Sequence, residues 1–243
     1  MANEVVRKGW NEVLTTKLES LNDALPSDFN KARFVQNALA LMSENENLKK
    51  YDGNKILAGL TRGAVLGLDF MSHEAYLVPY GNNLQFQLSY QGAKKLAKKY
   101  SIRPIKDIYA EVVREGDDFS VSIVESKKVV NFNPKPFNGA PIIGAFAVCE
   151  FEDGGISVDT MSLTELENTR SKSKMGKSGA WVDFTSEMYK KVVIKRLMKQ
   201  IEVDFENPTQ RVYMDDDEAL KTAKEEAEDI IDAEANTVEF TVD

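Results

Sequence analysis

"AYLVPYGNNLQFQLSY", residues 75–90, is where the chain changes its period. Leu84, Phe86 and Leu88 alternate with Gln85, Gln87 and Ser89. In a strand, that alternation puts the apolar set on one face and the polar set on the other. "YGNN" at 80–83 is rich in turn residues, so the stretch predicts a β-hairpin. Residues before it have helical spacing instead. "VVRKGWNEVLTTKLESL" (5–21) and "FNKARFVQNALALMSEN" (29–45) are predicted helices, with "PSDF" (26–29) as a stop and a fresh N-cap. "GNKILAGLTRGAVLGLDF" (53–70) is a third, with Gly67 as its C-terminal cap. Gly59 and Gly63 stand four apart on it, which predicts close packing against another element.

After the hairpin, "QGAKKLAKKYS" (91–101) is a short helix that buries Ala93, Leu96 and Ala97. "IYAEVVR", "FSVSIVE", "PIIGAFAVCEF" and "GISVDTM" are predicted strands, with "EGDD" and "EDGG" as turns. "SLTE" (162–165) is a capping box that starts a helix. A glycine-broken basic loop occupies 171–180, and a long helix runs from about Ser186 to Ile201. This order predicts an α+β fold: a mainly antiparallel sheet with hairpins packed by helices, a helical N-terminus and an acidic C-terminal tail.

Net charge is −8, from 31 basic and 39 acidic residues, but it averages two unlike parts. Residues 202–243 hold fifteen Asp or Glu and three Lys or Arg, leaving 28 basic and 24 acidic residues for 1–201. The division expected is a basic binding body, 1–201, and an acidic tail, 202–243, whose "DDDEALKTAKEEAEDIIDAEA" could form a lone surface helix. The tail either docks basic partner surfaces, competes for the basic body, or only keeps the chain in solution.

Catalytic groups are scarce. His73 is the one histidine and Cys149 the one cysteine, too few for a zinc site or a nucleophile–histidine pair with a recognisable motif. "GKS" at 176–178 has Ser171 where a phosphate-binding loop needs its first glycine. Acids cluster in "EFEDGG" and "MDDDEA", which keeps a metal-dependent nuclease using the 150–160 region as a remote alternative. No apolar run reaches the roughly 18 residues that a membrane span requires. The lack of an apolar leader and the single cysteine predict a soluble protein of a reducing compartment.

The basic features carry more. No acid interrupts residues 91–106, which hold Lys94, Lys95, Lys98, Lys99, Arg103 and Lys106. Arg170, Lys172, Lys174 and Lys177 populate the glycine loop, whose backbone N–H groups could also meet phosphates. Lys190, Lys191, Lys195, Arg196 and Lys199 follow on the helix, flanking an apolar stripe of Met188, Val192, Val193, Leu197 and Ile201. A solvated face of an amphipathic helix is the plain reading of such a run. Tyr90 and Trp181 beside the cations favour nucleic acid, since unpaired bases stack on aromatics, although Trp181 is weighted toward packing.

Taken together, these segments resemble the RecT family of phage single-strand annealing proteins. The blocks are "LGLDFMSHEAYLVPYGNNLQFQLSYQGAKKLAKKYS", "VVREGDDFS", and a last one filled by Gly179, Trp181, Val182, Glu187, Met188, Lys190, Lys191, Ile194, Lys195, Arg196 and Leu197. The resemblance covers about residues 55–201. Thr185 stands where the family has an aromatic, and Lys94 and Lys95 fall where its pattern is not basic. The resemblance implies an α+β core and ATP-independent annealing without covalent chemistry. It also implies assembly of the chain with itself into rings or helical filaments. The implied partners are single-stranded DNA, the annealed duplex intermediate, a phage 5′–3′ exonuclease and the host single-strand binding protein, the last two through the acidic tail. The implied location is the cytoplasm of a bacterial host, from a phage or prophage. No cofactor is implied, and assistance by Mg²⁺ is left open. The DNA-binding set is then Tyr90, Lys98, Lys99, Arg103, Arg170, Lys172, Lys174, Lys177, Trp181, Lys190, Lys191, Lys195 and Arg196. A protective single-strand binder that does not anneal shares this set and is the main alternative.

Overall fold

The computed structural model describes residues 2–80, 83–125, 127–173, 176–177 and 179–211, the side chains of residues 2–8 and Tyr80 excepted. It is α+β with antiparallel pairing throughout, as the change of period predicts. The described residues form two compact units, one of residues up to 89 with 205–211 and one of residues 90–204.

The first unit carries three helices, α1 (Ala2–Ser20), α2 (Lys31–Glu44) and α3 (Gly53–Val65), then the hairpin of β1 (Ala75–Tyr80) and β2 (Asn83–Leu88). Asn30 caps α2, its side chain accepting from the Arg33 N–H at 2.9 Å, so the cap lies just past the "PSDF" stretch. Asp52 caps α3 through Asn54 N–H at 2.8 Å. Gly67, at φ +68°, follows its last turn in the left-handed conformation that glycine adopts without a Cβ penalty. Phe86 is buried on the apolar face of β2.

The two spaced glycines of α3 do pack closely. A Cβ at Gly59 would lie 2.4 Å from Leu77 Cδ2, and one at Gly63 would lie 2.5 Å from the Phe70 ring. Phe70 is itself buried between Phe34 and Phe86, so its ring has little freedom to move. Gly63→Ala is therefore expected to destabilise by about 1–3 kcal/mol, the usual cost of overpacking a filled core. Urea denaturation measures it, and a variant as stable as the parent would show that the contact can relax.

The second unit begins with α4 (Tyr90–Tyr100) and continues through β3 (Ile105–Arg114), β4 (Asp118–Val124), β5 (Lys127–Asn133), β6 (Ile142–Phe151) and β7 (Ile156–Ser162). Helices α5 (Leu163–Ser171), α6 (Ala180–Asp183) and α7 (Thr185–Met198) complete it. β3, β6 and β7 form one sheet with β6 central, and β4 and β5 form a separate hairpin. β5 is an element that the sequence reading did not anticipate. The capping box at the start of α5 is present in full: the Ser162 side chain accepts from Glu165 N–H, and the Glu165 carboxylate accepts from Ser162 N–H. α7 lays Tyr189, Val193, Ile194 and Leu197 on the sheet, in one core with Ile108, Ala110, Ala147 and Cys149. Burying each such large apolar side chain contributes about 1.5–3 kcal/mol, which makes this helix the main clamp of the unit.

The first residues of the acidic C-terminal segment are packed. Val203 bridges to Ser101, Asp204 N–H donates to the Tyr100 carbonyl at 2.7 Å, and Gln210 is buried with its amide on the Val65 carbonyl at 3.1 Å. The surface helix expected over 215–235 lies outside the described residues.

Candidate nucleic-acid interface

Two helices present the basic residues, and they run side by side in the same direction. At one end, Lys191 of α7 sits over the Tyr90 ring of α4, 5.5 Å from its centre. At the other, residues 100–102 bond to residues 202–204, just past the end of α7. Lys191, Lys195 and Lys199 recur every four residues and so share one face of α7. Lys98 and Lys99 are exposed on α4, while Lys94 and Lys95 are half-buried. Some of this pattern is helix chemistry: Lys98, Lys99, Lys195 and Arg196 lie in last turns, where cations offset the carbonyl ends.

Beyond the helix ends the surface opens into a cleft of about 1080 Å³. Residues 101–103 and 200–202 form one side, the 151–157 turn another, and Lys127, Lys128 and Val130 of β5 a third. Arg103 lies in this cleft with its guanidinium 3.9 Å from the centre of the Phe151 ring, forked onto the Asp153 carboxylate at 2.8 Å. Lys127 and Lys128 extend the basic surface and were missed by the sequence reading, because their strand was missed. Lys128 donates to the Val158 carbonyl at 3.2 Å.

Several predicted contacts are committed elsewhere. Arg196 donates to both oxygens of Asp159 at 2.7 Å, to Glu165 at 2.9 Å and to the Thr160 carbonyl. That brace ties α7 to β7 and the start of α5. Lys190 pairs with Glu111 of β3 at 2.8 Å and Glu187 at 3.5 Å. Burial alone would push the Lys190 ammonium down, but the Glu111 hydrogen bond and charge outweigh it, and its pKa is raised. Arg170 closes its own loop, donating to the Gly176 carbonyl at 2.7 Å and to Glu167 at 3.2 Å. The Gly176 N–H is taken by the Ser173 carbonyl, so that amide does not point at a ligand. Trp181 is only 6% exposed, edge-on to Tyr189, with its indole N–H on Ser173 Oγ at 3.1 Å. It is a core residue with a satisfied donor and offers no face for a base.

The remaining predicted residues stay at the surface. Lys98 pairs loosely with Asp107 at 3.3 Å, and Lys99 lies 5.3 Å from the centre of the Tyr100 ring. Lys172 and Lys177 are exposed on the loop, and Lys195 is exposed on α7. Tyr90 is half-buried. Lys174 lies outside the described residues. On the α4–α7 ridge Tyr90 and Lys191 meet; Lys98 and Lys99 are exposed at the end of α4, Lys195 is exposed on α7, and Arg103 lies in the cleft beyond the helix ends.

The acids of the 150–160 region do not converge. Glu150 faces Lys106 at 3.7 Å, Asp153 holds Arg103, and Asp159 holds Arg196. Among the described residues no three of His, Cys, Asp or Glu come together as a metal-holding group. The Cys149 thiol is fully buried, which pushes its pKa up to about 11 and leaves it unreactive.

The brace makes a pH prediction. Glu165 is held down to about 2, first by the Ser162 N–H and then by Arg196, against an ordinary value of 4.5. A carboxyl lowered on folding stabilises above its unfolded pKa and loses that contribution as pH falls through the folded value. Glu165→Gln keeps a cap acceptor but not the charge. The stability gap between parent and variant is therefore expected to be constant at neutral pH and to close between about pH 4.5 and pH 2. Denaturation of both proteins across that range checks it, and a gap independent of pH would remove the charge from the account.

The RecT family model matches residues 32–232 of this chain. Protein RecT of Escherichia coli (strain K12) is 33% identical over 214 residues, 83% of this chain and 77% of that protein. The uncharacterized protein YqaK of Bacillus subtilis (strain 168) is 24% identical over 216 residues, 86% of this chain and 74% of that protein. A match that spans both units and a relative one-third identical over most of both chains place the chain in the RecT family.

Proposed function

We propose that this chain is an ATP-independent single-strand annealing protein that binds single-stranded DNA along the α4–α7 ridge and pairs it with a complementary strand. Membership of the RecT family supports annealing and recombination as the class of activity. The observation that carries the DNA track is the pair of co-directional helices whose lysines lead into the Arg103–Lys127–Lys128 cleft.

The chemistry follows from charge. Two strands repel, and a lysine ridge offsets that repulsion by replacing condensed counterions. Contacts to phosphate carry no sequence information, so any strand can be held. Watson–Crick pairing then selects the partner, with stacking supplying about 1.4 kcal/mol per step. No covalent bond is made or broken. Repeating the ridge along a ring or filament of identical chains converts weak contacts into a long track. In this reading the chain divides into a binding and assembly body, 1–201, and an acidic tail, 202–243. The tail would meet a 5′–3′ exonuclease and the host single-strand binding protein in the cytoplasm of a bacterium carrying the phage.

The test saturates one dye-labelled oligonucleotide with protein, adds its complement without ATP, and follows energy transfer and strand length together. Pairing faster than the protein-free control, with full-length strands, is the expected result. Tight binding of the first strand without faster pairing would make the protein a protective binder. Shortened strands in Mg²⁺ would make it a nuclease.

A further inference from the structure

Arg103 and Asp153 line the same cleft beyond the helix ends. The Asp153 carboxylate takes the Arg103 guanidinium as a fork, with Nη2 2.8 Å from both oxygens and Nε 3.1 Å from Oδ2. Two further groups place the guanidinium. The Phe151 ring lies beneath it, and Gly155 leaves it room, since a Cβ there would lie 2.4 Å from Nη2. The cation is thus seated by a ring and a glycine as well as by its counter-charge.

A carboxylate and a phosphate offer a guanidinium the same pair of oxygens. Asp153 therefore fills the place that a backbone phosphate would take. Exchange between the two is easy, because both side chains of the pair are wet, at 50% and 57% exposure, and exposed ion pairs contribute little. The carboxylate also has a hold of its own. Its Oδ1 accepts from Gly155 N–H at 2.8 Å, and that bond, ahead of Arg103, keeps its pKa below the ordinary carboxylate range. The turn is closed by its own backbone, Phe151 N–H to the Gly155 carbonyl at 2.9 Å and Gly154 N–H to the Phe151 carbonyl at 3.0 Å. Arg103 can leave Asp153 without undoing the turn.

The rest of the cleft says what draws it away. Lys127 and Lys128 line the space with Arg103, against Asp153 and Glu202, and Glu152 adjoins Asp153 on the turn. Three cations against two lining acids favour a polyanion, and the fork cancels one of the three.

We propose, on the reading that DNA follows this cleft, that Asp153 competes with a backbone phosphate of the bound strand for the Arg103 guanidinium. This internal rival keeps the grip of the cleft on single-stranded DNA weak enough to exchange, as a strand tested against a complement requires.

The experiment titrates a dye-labelled oligothymidine with the full chain at several salt concentrations. Asp153→Asn keeps an acceptor for the Gly155 N–H, so it should melt close to the parent. It is expected to bind about fivefold more tightly at 0.1 M salt, with a log–log slope steeper by about 0.7, the contribution of one further phosphate. In an Arg103→Ala background the same replacement should recover little of that gain, because the group it releases is gone. An equal gain with and without Arg103 would make Asp153 a general repulsive charge, and no gain would make the pair a strut of the turn. Either result overturns the proposal while leaving the DNA track standing. A parent that fails to bind oligothymidine overturns the track itself, and the competition with it.

Discussion

Replacing Lys191, Lys195 and Lys199 together with alanine is expected to weaken single-strand binding about a hundredfold at 0.1 M salt, with the melting temperature almost unchanged. The size follows from counterion release. Each phosphate neutralised on a single strand adds about 0.7 to the log–log salt slope, so three lost contacts flatten it by about 2 and remove about two decades of affinity at 0.1 M. Stability should hold because Lys195 and Lys199 are exposed and Lys191 only half-buried, and surface substitutions usually change stability by less than about 0.5 kcal/mol. Fluorescence titration of a labelled oligonucleotide at several salt concentrations gives both numbers. An unchanged slope would move the track off α7.

Arg196→Ala should behave in the opposite way, costing stability rather than salt dependence. Its guanidinium fork is the counter-charge of Asp159, whose side chain is only 11% exposed. Removal leaves a nearly buried carboxylate without its partner and frees the join between α7, β7 and α5. Breaking a fully buried pair costs about 3–5 kcal/mol; Arg196 is 38% exposed, so about 2–3 kcal/mol is expected here. Arg196→Lys should recover only part, because an ammonium cannot make the two-pronged contact. Urea denaturation measures the loss, and the salt slope of the folded variant should match the parent's. A stable variant with a flattened slope would make Arg196 a DNA contact rather than a brace.

These two variants separate residues that look alike in the sequence. Lys195 and Arg196 are adjacent cations on a basic helix, yet Lys195 is exposed and Arg196 is forked onto Asp159, 37 positions earlier. Nothing local distinguishes them, since the deciding partner sits on a strand three elements earlier. Lys190 and Glu111 repeat the case. The local signals were readable: the period-two hairpin, the Ser162–Glu165 capping box, Gly67 past α3, and the close-packed Gly59 and Gly63 are each written within a few residues. β5 was not, because "KKVVNFN" joins its neighbour through "VES" without a glycine or proline to mark the turn. With β5 went Lys127 and Lys128, and so one wall of the cleft. The pairing of α4 with α7 is set by packing on the sheet across some ninety residues, and no spacing rule reaches that far.

If DNA follows the Lys191–Lys195–Lys199 face of α7, annealing depends on those three lysines and not on Arg196, which Asp159 and Glu165 hold. The pairing rate of two dye-labelled complementary strands, added in turn without ATP, decides between them. The parent, the Lys191/Lys195/Lys199→Ala variant and Arg196→Lys are compared at a temperature where all three are folded. Fast pairing by the parent and by Arg196→Lys, with the rate lost in the triple variant, is the predicted result. Equal rates for the parent and the folded triple variant would contradict it.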